Sequence, residues 1–171
     1  MSIKIAKEPD IPALVKLIDL AYRGKESTQG WTSEAELFIS TQRTDASSLL
    51  NLMKKPTVTF LKYLSDDGTI EGCVLLNKKD NRLYLGMLSV FPGLQGKGVG
   101  KKLLLSAEEH ARNSGCNLIF MTVISIRQEL IQWYEKHGYQ KNGKKAPFPI
   151  DEKFGLPKIP LEMVVLEKVI A

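Results

Sequence analysis

The chain has 171 residues, 43% hydrophobic and 25% charged, a globular composition that excludes disorder and collagen-like repeats. A chain of this length reads as one domain over residues 1–171 and buries ~70% of its unfolded surface, so no disulfide, metal or partner is needed for folding. The net charge of +5 is mildly basic and favours anionic ligands without naming one.

Only two cysteines occur, Cys73 and Cys116. Each sits in an apolar run that reads as a strand, and two thiols are too few for a disulfide framework or a zinc site. No metal is expected, and buried free thiols are. The first residues lack a signal-peptide core, and no stretch reaches the ~18 apolar residues of a membrane span. A cytoplasmic protein with no membrane partner is the expectation.

Ile3 and Ile5 alternate with polar residues as in a short strand. Asp10 is placed as an N-cap and Pro12 in the first turn of a helix carrying Leu14, Leu17, Ile18 and Ala21 and ending near Gly24. A loop follows from Lys25 to Gly30. A second helical stretch begins after Trp31, with Ser33 and Glu36 as capping-box partners, and Leu49, Leu50 and Met53 add a turn or two. After Pro56 the period changes to two. Residues 57–64, 70–77 and 82–90 read as an antiparallel meander joined at Asp66-Asp67-Gly68 and at residues 78–81, with Gly86 hinting at a bulge.

Val99, Leu103, Leu104, Ala107 and Ala111 share a helix face that Gly115 terminates. Residues 117–123 read as a strand buried on both faces. Leu130, Trp133, Tyr134 and His137 mark a fourth helix stopped by Gly138, and residues 161–169 form a closing strand. Between them, Lys141 to Pro160 holds four of the eight prolines beside Phe148, Phe154 and Leu156. It reads as a pinned loop, either beside a binding cleft or over a sheet edge.

The chemical signal is Val90-Phe91-Pro92-Gly93-Leu94-Gln95-Gly96-Lys97-Gly98-Val99-Gly100-Lys101, between a strand and an amphipathic helix. Gly96, Gly98 and Gly100 clear side chains from a close approach. The first amides of a helix lack internal partners and lie at the positive end of its dipole, which suits phosphate. Lys97, Lys101 and Lys102 add charge. A dinucleotide fingerprint fails because Lys101 stands where its third glycine belongs. A P-loop fails because Gln95 replaces its first glycine and Lys102 its Ser or Thr. What fits is Q/R-x-x-G-x-G/A, as Gln95-Gly96-Lys97-Gly98-Val99-Gly100, and here the chain resembles the GNAT superfamily of acyl-CoA-dependent N-acetyltransferases. Trp133-Tyr134-Glu135-Lys136-His137-Gly138-Tyr139 is similar to the Y-x-x-x-G-[FY] motif of that family, and the order of elements agrees along nearly the whole chain.

The resemblance implies an α/β (α+β mixed sheet) fold. Its central, mostly antiparallel sheet contains one parallel splayed pair and is flanked by about four helices. It implies acetyl-CoA as co-substrate, its pyrophosphate on residues Gln95 to Lys101 and its pantetheine arm along the backbone of Leu88, Ser89 and Val90. Tyr134 then matches the general acid that protonates the departing thiolate after direct attack by an amine through a tetrahedral intermediate. It is equally placed, on its helix's apolar stripe, to be a core aromatic. Arg127 stands where the family often has Asn, and Leu130 where a small Ala is common. Arg127 either pairs with a cofactor phosphate or faces solvent.

No residue reads as the amine's base; Glu26, Glu34, Glu36 and Asp45 lie in the stretch that forms the acceptor site in the family. Trp31, Glu34 and Arg43 are the substrate-site candidates, and His110 and His137 read as structural. The pinned loop favours a closed pocket and so a small-molecule amine, with a peptide or protein amine, or a non-catalytic acyl-CoA sensor, as alternatives. Lys136, Lys141, Lys144 and Lys145 cluster, but without the interleaved exposed aromatics of a nucleic-acid surface, so no nucleic acid is expected. A homodimer is left open.

Overall fold

The computed structural model describes residues 2–22, 43–148 and 157–170. Seven strands, β1 (Ser2–Ile5), β2 (Val58–Leu64), β3 (Ile70–Lys79), β4 (Arg82–Val90), β5 (Leu118–Ile124), β6 (Gln140–Pro147) and β7 (Glu162–Val169), form one sheet in the order β1-β2-β3-β4-β5-β7-β6. The described helices are α1 (Ile11–Tyr22), α2 (Ala46–Met53), α3 (Val99–Asn113) and α4 (Gln128–Lys136). Only β4 and β5 run parallel; every other neighbouring pair is antiparallel. The described residues adopt the expected mixed sheet with one parallel pair, flanked by four described helices.

Two cores lie on opposite faces of this sheet, set by the two-residue period of the strands. Leu61, Tyr63, Val74, Leu76, Leu83 and Leu85 pack with Leu103, Ala107, Ile131 and Tyr134 of α3 and α4. Phe60, Cys73 and Leu75 pack with Leu14, Leu17, Ile18 and Leu49 of α1 and α2. Each fully buried Leu or Ile contributes about 1.5–3 kcal/mol. Burial raises the Cys73 thiol pKa to about 12, which keeps it protonated and inert.

The period breaks once where it matters. Between Leu75↔Gly86 and Cys73↔Ser89, β4 uses one residue more than β3, and Met87 takes up the bulge at φ 50°. The bulge therefore sits one residue past Gly86. Its effect is to change parity: Leu83 and Leu85 face the α3 side, and so does Leu88. Gly86 has a different task, since a β-carbon there would stand 2.9 Å from the Tyr84 ring.

Several local expectations are corrected. Asp10 does not cap α1: its carboxylate closes a 3-10 turn over Glu8–Asp10 by accepting from the Lys7 amide and from Lys62 Nζ, each at 2.8 Å. Asp45 is the N-cap of α2, accepting from the Ser48 amide at 2.8 Å, so its carboxylate is occupied structurally. Cys116 precedes β5 rather than lying in it, and β5 alternates half-buried and buried residues instead of being sunk on both faces. The β3–β4 turn is only Asp80-Asn81, and β3 runs on to Lys79.

The largest correction falls in the presumed loop, whose first part, with Gln140, is strand β6. Gln-Lys-Asn-Gly-Lys-Lys-Ala-Pro has neither alternation nor β-branched residues, so no sequence period reveals it. It is an edge strand held by backbone pairing to β7, with an irregularity between Lys141 and Lys145 at Gly143, and its exposed lysines protect that edge. The second helical stretch after Trp31, the Gly24 helix end, and Phe154 and Leu156 lie outside the described residues.

Candidate active site

The glycine-rich turn is built from a 3-10 turn at Pro92–Leu94 followed by two left-handed glycines, Gly96 at φ 86° and Gly98 at φ 87°. Nothing lies within 4 Å of a β-carbon built on either, so their need for glycine is conformational. The turn uses part of its own donor set: the Gln95 amide bonds Pro92 O at 3.4 Å and the Lys97 amide bonds Leu94 O at 3.2 Å. Gly98 caps α3 without a side chain, and the first closing bond runs from the Lys102 amide to Gly98 O at 3.1 Å. The amides of Val99, Gly100 and Lys101 therefore have no acceptor among the described residues, as the first turn of any helix requires. Within 95–101 the Gln95 and Lys97 amides are thus taken, while those of Gly96, Gly98 and the first turn of α3 have no acceptor among the described residues. Lys101 borders the cleft in front of these amides. Lys102 instead holds its Nζ 5.8 Å over the Tyr63 ring.

The cleft itself comes from strand divergence. β4 and β5 are in register only over Arg82↔Leu118, Leu83↔Ile119 and Tyr84↔Phe120. Beyond Tyr84 the pair separates, leaving the β5-facing edge of β4 unpaired up to Val90. Two carbonyls at this end are taken by side chains. The Tyr22 hydroxyl donates to Leu88 O, and Gln95 Nε2 donates to Val90 O at 3.2 Å. Gln95, expected on the phosphate, thus folds its side chain back onto the strand. Ser89 is buried and donates to Met87 O at 3.0 Å.

α4 supplies the far wall. Tyr134 is 5% exposed and is boxed by Trp133 (ring centroids 5.1 Å) and Tyr139 (6.0 Å), both edge-on. Burial raises its phenol well above the usual tyrosine range; the Tyr22, Tyr139 and Tyr84 phenols add to this and the Arg127 guanidinium opposes it. It is a neutral donor throughout the physiological range. Tyr134 is thus both a core aromatic and a residue of the cleft wall.

His137 lies one turn on. Its Nδ1 is 2.7 Å from Trp133 O and its ring is 4.4 Å from that of Trp133. The end of α4 is tied down by Lys168 of β7, whose Nζ donates to His137 O at 3.0 Å and to Glu108 Oε1 of α3 at 2.5 Å.

These parts meet in one cleft of about 230 Å³ lined by Tyr22, Leu88, Val90, Gln95, Gly96, Gly98, Gly100, Lys101, Leu130, Trp133, Tyr134 and His137. Of the expected residues, Ser89, Lys97, Val99 and Arg127 are not in its lining. Val99 turns into the core, and Arg127 is the N-cap residue of α4. Arg43 stands behind the lining, its guanidinium 5.8 Å over the Tyr22 ring and its amide bonded to Asp19 Oδ1 at 2.5 Å. Trp31, Glu34, Glu26 and Glu36 lie outside the described residues. His110 on α3 is away from the cleft.

Tyr22, Leu130, Trp133 and His137 line the cleft without having been expected there, His137 having read as structural. For His137 a signal existed: it is four residues from Trp133 and three from Tyr134, hence on the same helix face. For Tyr22 none did, because its partner is 66 positions away.

Comparison with known proteins bears on the family and the fold. The model of the "Acetyltransferase (GNAT) family" matches residues 19–139. The chain is 30% identical over 83 residues to "Acetyltransferase Atu2258" of Agrobacterium fabrum, covering 48% of this chain and 59% of that protein. It is 30% identical over 69 residues to the "Spermine/spermidine N(1)-acetyltransferase" of Bacillus subtilis, covering 40% of this chain and 45% of that one. The chain thus spans about half the length of the curated relatives it matches. Among solved structures, PaiA N-acetyltransferase from Thermoplasma acidophilum, in complex with coenzyme A, superposes with a TM-score of 0.68 at 21% identity, covering 99% of both chains. That likeness is one of fold.

Proposed function

The chain belongs to the GNAT acetyltransferase family, and from that premise we propose that it transfers an acetyl group from acetyl-CoA to a small-molecule amine, with Tyr134 as general acid. One observation carries the reading: the open amides of α3's first turn, the unpaired end of β4 and Tyr134 all border the same cleft. The residues fit an acyl-CoA. Amides at a helix N-terminus beside Lys101 suit a diphosphate, an unpaired strand edge suits the amides of a pantetheine arm, and the apolar walls of Leu88, Val90, Leu130 and Trp133 suit its methylenes.

Acetyl-CoA supplies a thioester there. In this reading the amine nitrogen bonds to its carbonyl carbon, the C–S bond breaks, the Tyr134 phenol gives its proton to the departing sulfur, and the proton shed by the nitrogen goes to solvent, from which the phenolate is reprotonated. The Leu88 and Val90 N–H groups, on the edge of β4 away from β3, stabilise the oxyanion. A phenol kept protonated by burial suits that donation. Tyr22 and Arg43 stand on the side where the acceptor enters in this reading. The Bacillus relative named for spermine and spermidine supports an amine of low molecular weight.

The test is release of CoA thiol from acetyl-CoA against a panel of spermidine, other small amines and a peptide N-terminus. Release with a small amine is expected. Release with the peptide alone reverses the acceptor class, and tight binding with no release from any amine makes the protein a sensor.

A further inference from the structure

We infer that His137 is a phosphate-binding residue of the cleft, which takes up a proton as it meets a phosphate oxygen of CoA. The inference rests on the reading that the cleft takes a CoA thioester, and adds a residue and a proton to it.

The ring's geometry sets the chemistry. His137 Nδ1 lies 2.7 Å from Trp133 O, and a carbonyl only accepts, so Nδ1 carries the proton. In the neutral ring Nε2, on the opposite side from that bond, is then a bare lone pair, which an anionic oxygen does not bind. A phosphate oxygen is bound only when Nε2 is also protonated, giving a charge-assisted bond. The ring is held for that bond. It packs 4.4 Å from Trp133, whose outer ring would sit 3.1 Å from a β-carbon on Gly100. The imidazole is thereby held in the wall of the cleft that Gly98, Gly100 and Lys101 of α3 also line.

The charge around the ring permits an anion. Among the described residues, the titratable groups lining the cleft are Tyr22 from α1, Lys101 from α3, and Tyr134 and His137, with no carboxylate. On His137's own segment, Glu135 and Lys136 are exposed. Behind it, Lys168 of β7 donates to His137 O and is paired with Glu108 of α3, and Tyr139 is buried under the same lysine at 5.6 Å. The C-terminus of α4 would ordinarily present a negative dipole end. Here four of its terminal carbonyls, all but that of the exposed Lys136, are occupied: Trp133 O by His137 Nδ1, Tyr134 O by the amides of His137 and Tyr139, Glu135 O by Gly138, and His137 O by Lys168. What the helix end offers the cleft is an imidazole.

The experiment is calorimetry of CoA binding at pH 7.5 in HEPES and in Tris, whose ionisation enthalpies differ. The wild-type protein is expected to take up a proton on binding. His137→Gln is expected to lose that uptake and to bind CoA about tenfold more weakly. Repeating both with 3′-dephospho-CoA locates the contact: a difference that persists assigns the diphosphate, and one that vanishes assigns the 3′-phosphate. Equal affinity of wild type and His137→Gln, or equal proton uptake, overturns the inference while the CoA reading stands. No CoA binding by the wild type overturns both. Should the variant fail to fold, NMR of the two histidines decides. CoA is expected to shift the His137 ring resonance and not that of His110, and an unmoved His137 overturns the inference.

Discussion

A β-carbon on Gly100 would lie 3.1 Å from two atoms of the Trp133 ring, so the third glycine of the turn serves the contact between α3 and α4. Gly98 serves the backbone, at φ 87°. The two glycines therefore fail differently. Gly98→Ala is expected to cost about 1 kcal/mol through left-handed strain, read as a lower midpoint in urea. In Gly100→Ala the helix-propensity gain of about 1 kcal/mol offsets the crowding of Trp133. The midpoint should hold, the Trp133 fluorescence should change, and CoA affinity should fall at least ~3-fold as the wall shifts. Unaltered CoA affinity in Gly100→Ala would remove the Trp133 contact from the binding argument.

Tyr134 lines the cleft from α4. Tyr134→Phe is expected to lower kcat about tenfold or more, with KM for acetyl-CoA within about threefold. Because burial raises this phenol above its ordinary value, the acid form persists as pH rises. The kcat profile is therefore expected to show no alkaline fall from its ionisation up to about pH 9.5. Steady-state rates across that range check both statements, and unchanged turnover in the variant takes Tyr134 out of the mechanism.

Lys168 and Glu108 form a pair whose side chains are 29% and 6% exposed. Lys168→Met leaves Glu108 buried without its cation, and is expected to lower stability by about 3 kcal/mol. Replacing both, as Lys168→Met with Glu108→Leu, should restore most of it, since a buried pair exchanged for apolar groups is often neutral. A double-mutant cycle in urea measures the coupling. Additive losses would show that the two charges act separately.

Much of the scaffold was legible along the chain because its determinants are local. The meander is written in the alternation of residues 58–64 and 82–90, α3 in the spacing of Val99, Leu103, Ala107 and Ala111, and helix ends in Gly115 and Gly138. β6 was not legible: its strand state is imposed by pairing with β7, and an edge strand of lysines and glycine carries no period of its own. Asp10 and Asp45 look alike as capping residues, and only the position of Lys62 and of α2 separates their tasks.

The sequence by itself determined the family, through two motifs whose backbone conformation and spacing depend on neighbours a few residues apart. Only the tertiary structure decided what lines the cleft. Tyr22 reaches Leu88 across 66 positions, the divergence of β4 and β5 after Tyr84 is a property of two strands, and His137 packs on Trp133, which packs on Gly100 of another helix. Such contacts join residues whose separation in the chain is unrelated to their separation in space, so no local pattern encodes them.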